Sequence, residues 1–249
     1  KLKAAGLIEK EKVCFLMNSR IERMLANSVG KMDSICRIAF REYASEREEL
    51  RMLILTDYVR KEARKSLGEP EKEVGNIGVL PIFELLRRQG MDWKLGVLCG
   101  SLLVFPDSAK EKFLKEAALE ASGLEPELKP LTDSRGGALG YTEAAVQGKQ
   151  HIYIQVMTRL FERGDIQILI GTKSLLGEGW DSPCINSLIL ASFVGSYVLG
   201  NQMRGRAIRV NKEKPDKVSN IWHLVCLLQP KEQRERKQMG IQEPELSQD

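Results

Sequence analysis

Along this chain the spacing of apolar residues switches repeatedly between a helical and an extended period. From Leu7 to about Leu50 they recur at helical intervals (Leu16, Ile21, Met24, Leu25, then Met32, Ile35, Ile38, Ala39) among many Lys, Arg and Glu. This predicts two helices broken near Asn27 to Gly30. At Arg51 the pattern becomes Met52-Leu53-Ile54-Leu55, closed by Thr56-Asp57, which predicts a first buried strand. A helix over Ile82 to Arg88 ending at Gly90 and a strand over Leu95 to Leu98, stopping at Cys99-Gly100, follow. Ala109 to Ala121 has good helix formers, whereas Gly123 to Gly140, with Pro126, Pro130 and Gly136-Gly137, is expected to be a long exposed loop. Ala144 to Arg163 holds a helix closed by Gly164. Strands at Ile166 to Ile170 and Ser187 to Ala191, a helix over Gly195 to Ile208, and a last strand at Ile221 to Leu228 complete the series.

Strands that are apolar on both faces and alternate with helices predict an α/β fold, a parallel sheet covered by helices in three layers. The expected divisions are a helical extension over 1–50, the α/β domain over 51–230 and a charged, solvated tail over 231–249. No internal repeat or low-complexity stretch is present.

At 249 residues and 43% hydrophobic, the chain can bury one sizeable core. Its 38 basic and 34 acidic residues leave a formal charge of +4, which permits a polyanionic partner without requiring one. The five cysteines are scattered, with no C-x-x-C pair or Cys/His cluster, so no metal site is predicted and reduced thiols of a cytoplasmic protein are expected. No apolar run approaches the ~20 residues that span a bilayer, and no signal segment is recognisable. The sequence opens on Lys1, not Met, which points to a piece of a longer polypeptide or a trimmed one.

In an open parallel sheet the ligand site lies beyond the carboxyl ends of the strands, so the segments after them are where polar residues mean most. Gly171-Thr172-Lys173-Ser174-Leu175-Leu176-Gly177-Glu178-Gly179-Trp180-Asp181-Ser182-Pro183 follows the strand at Ile166 to Ile170. Its glycines permit close approach, Thr172, Lys173 and Ser174 are donors suited to a phosphate backbone, and Asp181 is an acceptor suited to a ribose hydroxyl. Gln202-Met203-Arg204-Gly205-Arg206-Ala207-Ile208-Arg209 is predicted to be helical, which places Arg206 and Arg209 on one face, able to converge on one anion. Alone, the first segment is an ordinary glycine-rich turn and the second a solvated basic face; together they are more specific. Trp180 is expected to be a packing anchor, and His151 and His223 have no metal or nucleophile partner at readable spacing.

These segments resemble the second, C-terminal RecA-like domain of superfamily-two helicases of the DEAD/DEAH type. Gln202-x-x-Gly205-Arg206-x-x-Arg209 is similar to that family's sixth motif and Glu178-Gly179-Trp180-Asp181-x-Pro183 to its fifth, with the strand ending at Thr56-Asp57 in the place of the fourth. The resemblance implies a RecA-like domain in which Arg206 and Arg209 act as arginine fingers on the γ-phosphate. Asp181 would hold the nucleotide ribose, with Gly179 and Gln202 beside it. Thr172, Lys173, Thr56 and Gly100 would face nucleic acid. The implied cofactor is ATP with Mg²⁺. The implied partners are nucleic acid, DNA in preference to RNA, and an N-terminal RecA-like domain of the same polypeptide, with no membrane. No G-x-x-x-x-G-K-S/T loop or acidic box occurs here, so this chain is not expected to hydrolyse ATP unaided. The rival readings are a translocase on duplex DNA that does not separate strands, and a non-catalytic nucleic-acid or protein-binding module.

Overall fold

The computed structural model describes residues 8–9, 12–13, 29–57, 59, 61–72, 74, 76–100, 102–121, 126–145, 150–172, 180–192, 197–212 and 214–225. Among them, a two-residue antiparallel ribbon, β1 (Ile8–Glu9) with β2 (Lys12–Val13), precedes five α-helices and an eight-stranded sheet. The elements run α1 (Val29–Glu46), β3 (Met52–Thr56), α2 (Val79–Arg87), β4 (Leu95–Cys99), β5 (Leu102–Pro106) and α3 (Lys110–Glu120). They continue with β6 (Leu128–Thr132), β7 (Ala138–Ala144), α4 (Gln150–Arg163), β8 (Ile168–Thr172), β9 (Ser187–Leu190), α5 (Tyr197–Ala207) and β10 (Asn220–His223).

The sheet order is β10-β9-β3-β8-β4-β5-β7-β6. The first five strands are parallel and the last three add antiparallel to them. The α/β class holds, and the sheet is mixed where an all-parallel one was expected. Period-two alternation divides the core cleanly. Met52, Ile54, Val97, Ile168, Ile170 and Ile189 face one layer with α1 and α2, while Leu53, Leu55, Leu98, Leu169, Leu188 and Leu190 face the other with α3, α4 and α5. On the second face Gly96 leaves room that a Cβ would fill, since that atom would sit 2.8 Å from Ile166 Cγ2.

Three expectations need correction. The stretch expected as a long loop contains the hairpin β6–β7. It escapes a propensity reading because it lies at the sheet edge, where Pro130 removes no interior ladder bond and the residues need be buried on only one side. Its turn is built by Asp133, whose Oδ1 accepts from the backbone N–H of Arg135 (2.8 Å) and Gly137 (2.7 Å), with Gly136 at φ +83°. The strand β5, a buried apolar run over Leu102 to Phe105, is an addition to the expected elements. Residues 8–9 and 12–13, expected in a helix, form the β1–β2 ribbon; the rest of that first helix and the tail over 231–249 lie outside the described residues.

Helix α1, the second predicted for the amino-terminal extension, packs on the sheet through Ile35, Ile38 and Ala39. Its buried Glu42 accepts hydrogen bonds from Asn220 Nδ2 and Trp222 Nε1, each at 3.1 Å, which ties it to the edge strand β10.

Candidate functional site

The candidate residues fall into two groups at opposite ends of the parallel strands. At the carboxyl edge, Thr56 of β3 sits beside Thr172 of β8 in register, and Gly100 follows β4, the next strand over. The structure therefore brings Thr56, Thr172 and Gly100 together along one edge. Both threonine side chains are buried, at 0% and 6% exposure, and Gly100 is exposed. Thr56 Oγ1 and, at the end of the neighbouring β9, Ser192 Oγ are buried with no hydrogen-bond partner among the described residues. Sequence reasoning passed over Ser192, because a serine after a strand carries no signal until its neighbours are known. Lys173 and Gly179 lie outside the described residues.

The second group was expected at the same edge and is found at the other. After β9, α5 runs back along the sheet, and its last carbonyl, that of Ala207, accepts from Lys217 Nζ (3.0 Å) and Ser219 Oγ (2.7 Å). The same two side chains hold the carbonyl of Ile185 (2.8 and 2.9 Å), just ahead of β9, and Ser219 directly precedes β10. A cation on the carbonyl end of a helix also favours its termination there. The end of α5 thus lies at the amino ends of β9 and β10. A five-residue strand rises about 17 Å, and that length separates this end from the threonines.

Arg209 lies two residues past the helix and is not part of it; its backbone N–H reaches the Arg206 carbonyl at 3.4 Å, so the pair is related by a turn. Its guanidinium forms an ion pair with Asp181, donating from Nη1 to Oδ2. The other carboxylate oxygen, Oδ1, is buried and without a partner among the described residues. Arg206 is half-buried; burial lowers its pKa, Arg209 lowers it further and Asp181 opposes them, so all three charges feel one another. Gln202 is exposed on α5, and Arg204 turns to Asn201, in keeping with its omission from the chemistry. A Cβ added at Gly205 would meet nothing within 4 Å. A glycine inside a helix costs roughly 0.5 to 1 kcal/mol relative to alanine, and no contact among the described residues explains it.

Next to this group a groove of about 1110 Å³ opens at the amino edge, lined by Arg51, Glu162, Cys184, Asn186, Val210 and Lys212 among others. Burial pushes the Cys184 thiol up to about 11, so it is protonated at neutral pH. Among the described residues no group of three or more His, Cys, Asp or Glu could hold a metal ion, and no helix is long and apolar enough to cross a membrane.

No protein-family profile matches the chain, and no curated protein matches it. Among solved structures, it is similar to the C-terminal part of the Fun30 ATPase domain, with a TM-score of 0.42 and 16% identity over 88% of this chain and 47% of that one. It is also similar to the Hef helicase domain of Pyrococcus furiosus, with a TM-score of 0.39 and 15% identity over 78% of this chain and 26% of that one. The chain thus spans about half the length of the first and about a quarter of the second. Likenesses this distant leave the function to be argued from the residues.

Proposed function

We propose that this chain is the second RecA-like domain of an ATP-dependent nucleic-acid motor of the superfamily-two helicase type. The observation that carries the reading is the meeting of Asp181 with Arg209, and Arg206 beside them, on an accessible surface although the segments are far apart in sequence. The residues fit a nucleotide: Asp181 Oδ1 is an acceptor without a donor among the described residues, and a Cβ at Gly205 would meet none of them within 4 Å. Bound ATP with Mg²⁺, held mainly by a first RecA-like domain, supplies the phosphoryl group to be transferred.

Within this chain, Arg206 and Arg209 offer two permanent positive charges to oxygens on which negative charge builds. Asp181 accepts a ribose hydroxyl, with Gln202 exposed on the same helix as Arg206. The carboxyl edge, with Thr56, Gly100 and Thr172, faces the nucleic acid, DNA in preference to RNA. Placing nucleotide and track at opposite edges of the same sheet lets closure on one be felt at the other through a rigid body. The test is nucleic-acid-stimulated ATP hydrolysis by the full-length protein with Arg209→Ala. Turnover is expected to fall by about 10³ to 10⁵, the worth of an arginine finger; unchanged turnover refutes the assignment.

A further inference from the structure

Helix α4 carries two polar side chains one turn apart, Thr158 and Glu162, on a surface otherwise given to packing through Val156, Met157, Leu160 and Phe161. Thr158 Oγ1 donates to the carbonyl of Ile154 at 2.7 Å and accepts from the indole Nε1 of Trp180 at 2.7 Å. Glu162 Oε1 accepts from Ser182 Oγ at 3.2 Å. With that proton committed, the Cys184 thiol, 3.2 Å from Ser182 Oγ, is left to act as donor. Trp180 and Ser182 are buried, at 6% and 0% exposure.

The two anchored residues alternate with Asp181. The Asp181 carboxylate reaches Arg209 while the residues on either side of it are held by α4. The two hydrogen bonds, one helical turn apart, thus hold the chain on both sides of Asp181 and limit where its carboxylate can turn. We propose that Thr158 and Glu162 are positioning residues that fix the direction of the Asp181 carboxylate, and with it the competence of the nucleotide site. This rests on the assignment of Asp181 made above.

The test uses the chain itself first. Nuclear magnetic resonance of the Trp180 indole and the Arg209 Nε–H, assigned with Trp180→Phe and Arg209→Lys, reports both ends of the arrangement without any nucleotide. Thr158→Val removes the indole's acceptor at nearly constant size, and the Arg209 signal is expected to move toward its position in Asp181→Asn. Thr158→Ser restores the hydroxyl and should return both signals. Glu162→Ala gives an independent route to the same shift if the valine variant does not fold. An indole signal that moves while Arg209 stays fixed in both variants overturns the inference. In the full-length protein, the preference of KM for ATP over 2′,3′-dideoxy-ATP should then fall by about tenfold in Thr158→Val, one lost hydrogen bond to a charged group. A shifted Arg209 with an unchanged preference upholds the positioning and removes the ribose role of Asp181, so the two claims fail separately.

Discussion

Glu84 and Asp181 are both carboxylates gripped by arginine, yet their surroundings are opposite. Glu84 is 3% exposed and accepts from Arg87 Nε (2.8 Å), Arg87 Nη2 (2.9 Å), Arg88 Nε (2.7 Å) and the backbone N–H of Gly68 (3.1 Å). Arg88 is in turn spent on the carbonyls of Glu69 and Lys72, which closes the loop after β3 against α2. Asp181 takes the Arg209 guanidinium on one oxygen, and the two side chains are 36% and 53% exposed. A fully wired buried pair is costly to break from one side, whereas exposed pairs contribute about 0 to 1 kcal/mol. The first is a structural joint. The second adds little to the fold, which leaves its residues available for a ligand.

The largest expected effect that sharpens this contrast is on Arg209. Its replacement by Ala should cost the about 10³ to 10⁵ in turnover already stated while shifting folding stability by less than about 1 kcal/mol, read by urea unfolding. Glu84→Ala should do the reverse and cost about 3 kcal/mol or more of stability, because it leaves two half-buried guanidinium groups without their acceptor. A stability loss in Arg209→Ala as large as that in Glu84→Ala would erase the distinction.

Next comes pH. Burial raises the Glu84 pKa, but hydrogen bonds from Arg87 and Arg88 more than reverse this, so its carboxyl titrates below the ordinary 4.5. Glu116, buried beneath Arg159 and Arg163, follows the same balance. A group whose folded pKa is depressed stabilises fully above its unfolded value and loses that contribution as pH falls through the folded one. Stability should therefore drop as pH falls below about 4.5, and Glu84→Gln should flatten that acid limb in denaturant titrations at stepped pH. An equally steep limb in the variant would remove Glu84 from the account.

The smallest effect concerns Gly205. With open space around its missing Cβ, Gly205→Ala should stabilise the chain by about 0.5 to 1 kcal/mol while lowering ATP turnover of the full-length protein, since the added methyl group intrudes where a nucleotide or facing domain approaches. Greater stability with undiminished turnover would mean that nothing approaches there.

What could be read before folding depended on how local the cause was. The strands β3, β8 and β9 are continuous apolar runs because both their faces are covered, and this pattern is visible without partners. Helix α4 ends at Gly164 because φ there is +82°, and a Cβ would strike the Arg51 guanidinium. The antiparallel edge was not legible, since Pro130 and the glycines of β6–β7 mark a loop by composition and only the pairing makes them strands. Asp181, Arg206 and Arg209 stood out by motif, yet their position at the amino ends did not. Eight residues lie between Thr172 and Asp181 in the sequence, yet the first ends a strand at the carboxyl edge that general rules favour and the second is found at the other edge. Thr158 and Glu162 look like ordinary helix residues until Trp180 and Ser182 are seen against them.

The central claim is that Arg209 leaves Asp181 for a phosphate held by another domain. The most direct measurement is a crystal structure of the full-length protein with ADP, Mg²⁺ and aluminium fluoride. The account predicts the Arg209 guanidinium within hydrogen-bonding distance of the fluoride group and Asp181 on the ribose; an Arg209–Asp181 pair still closed, with the nucleotide elsewhere, would contradict it.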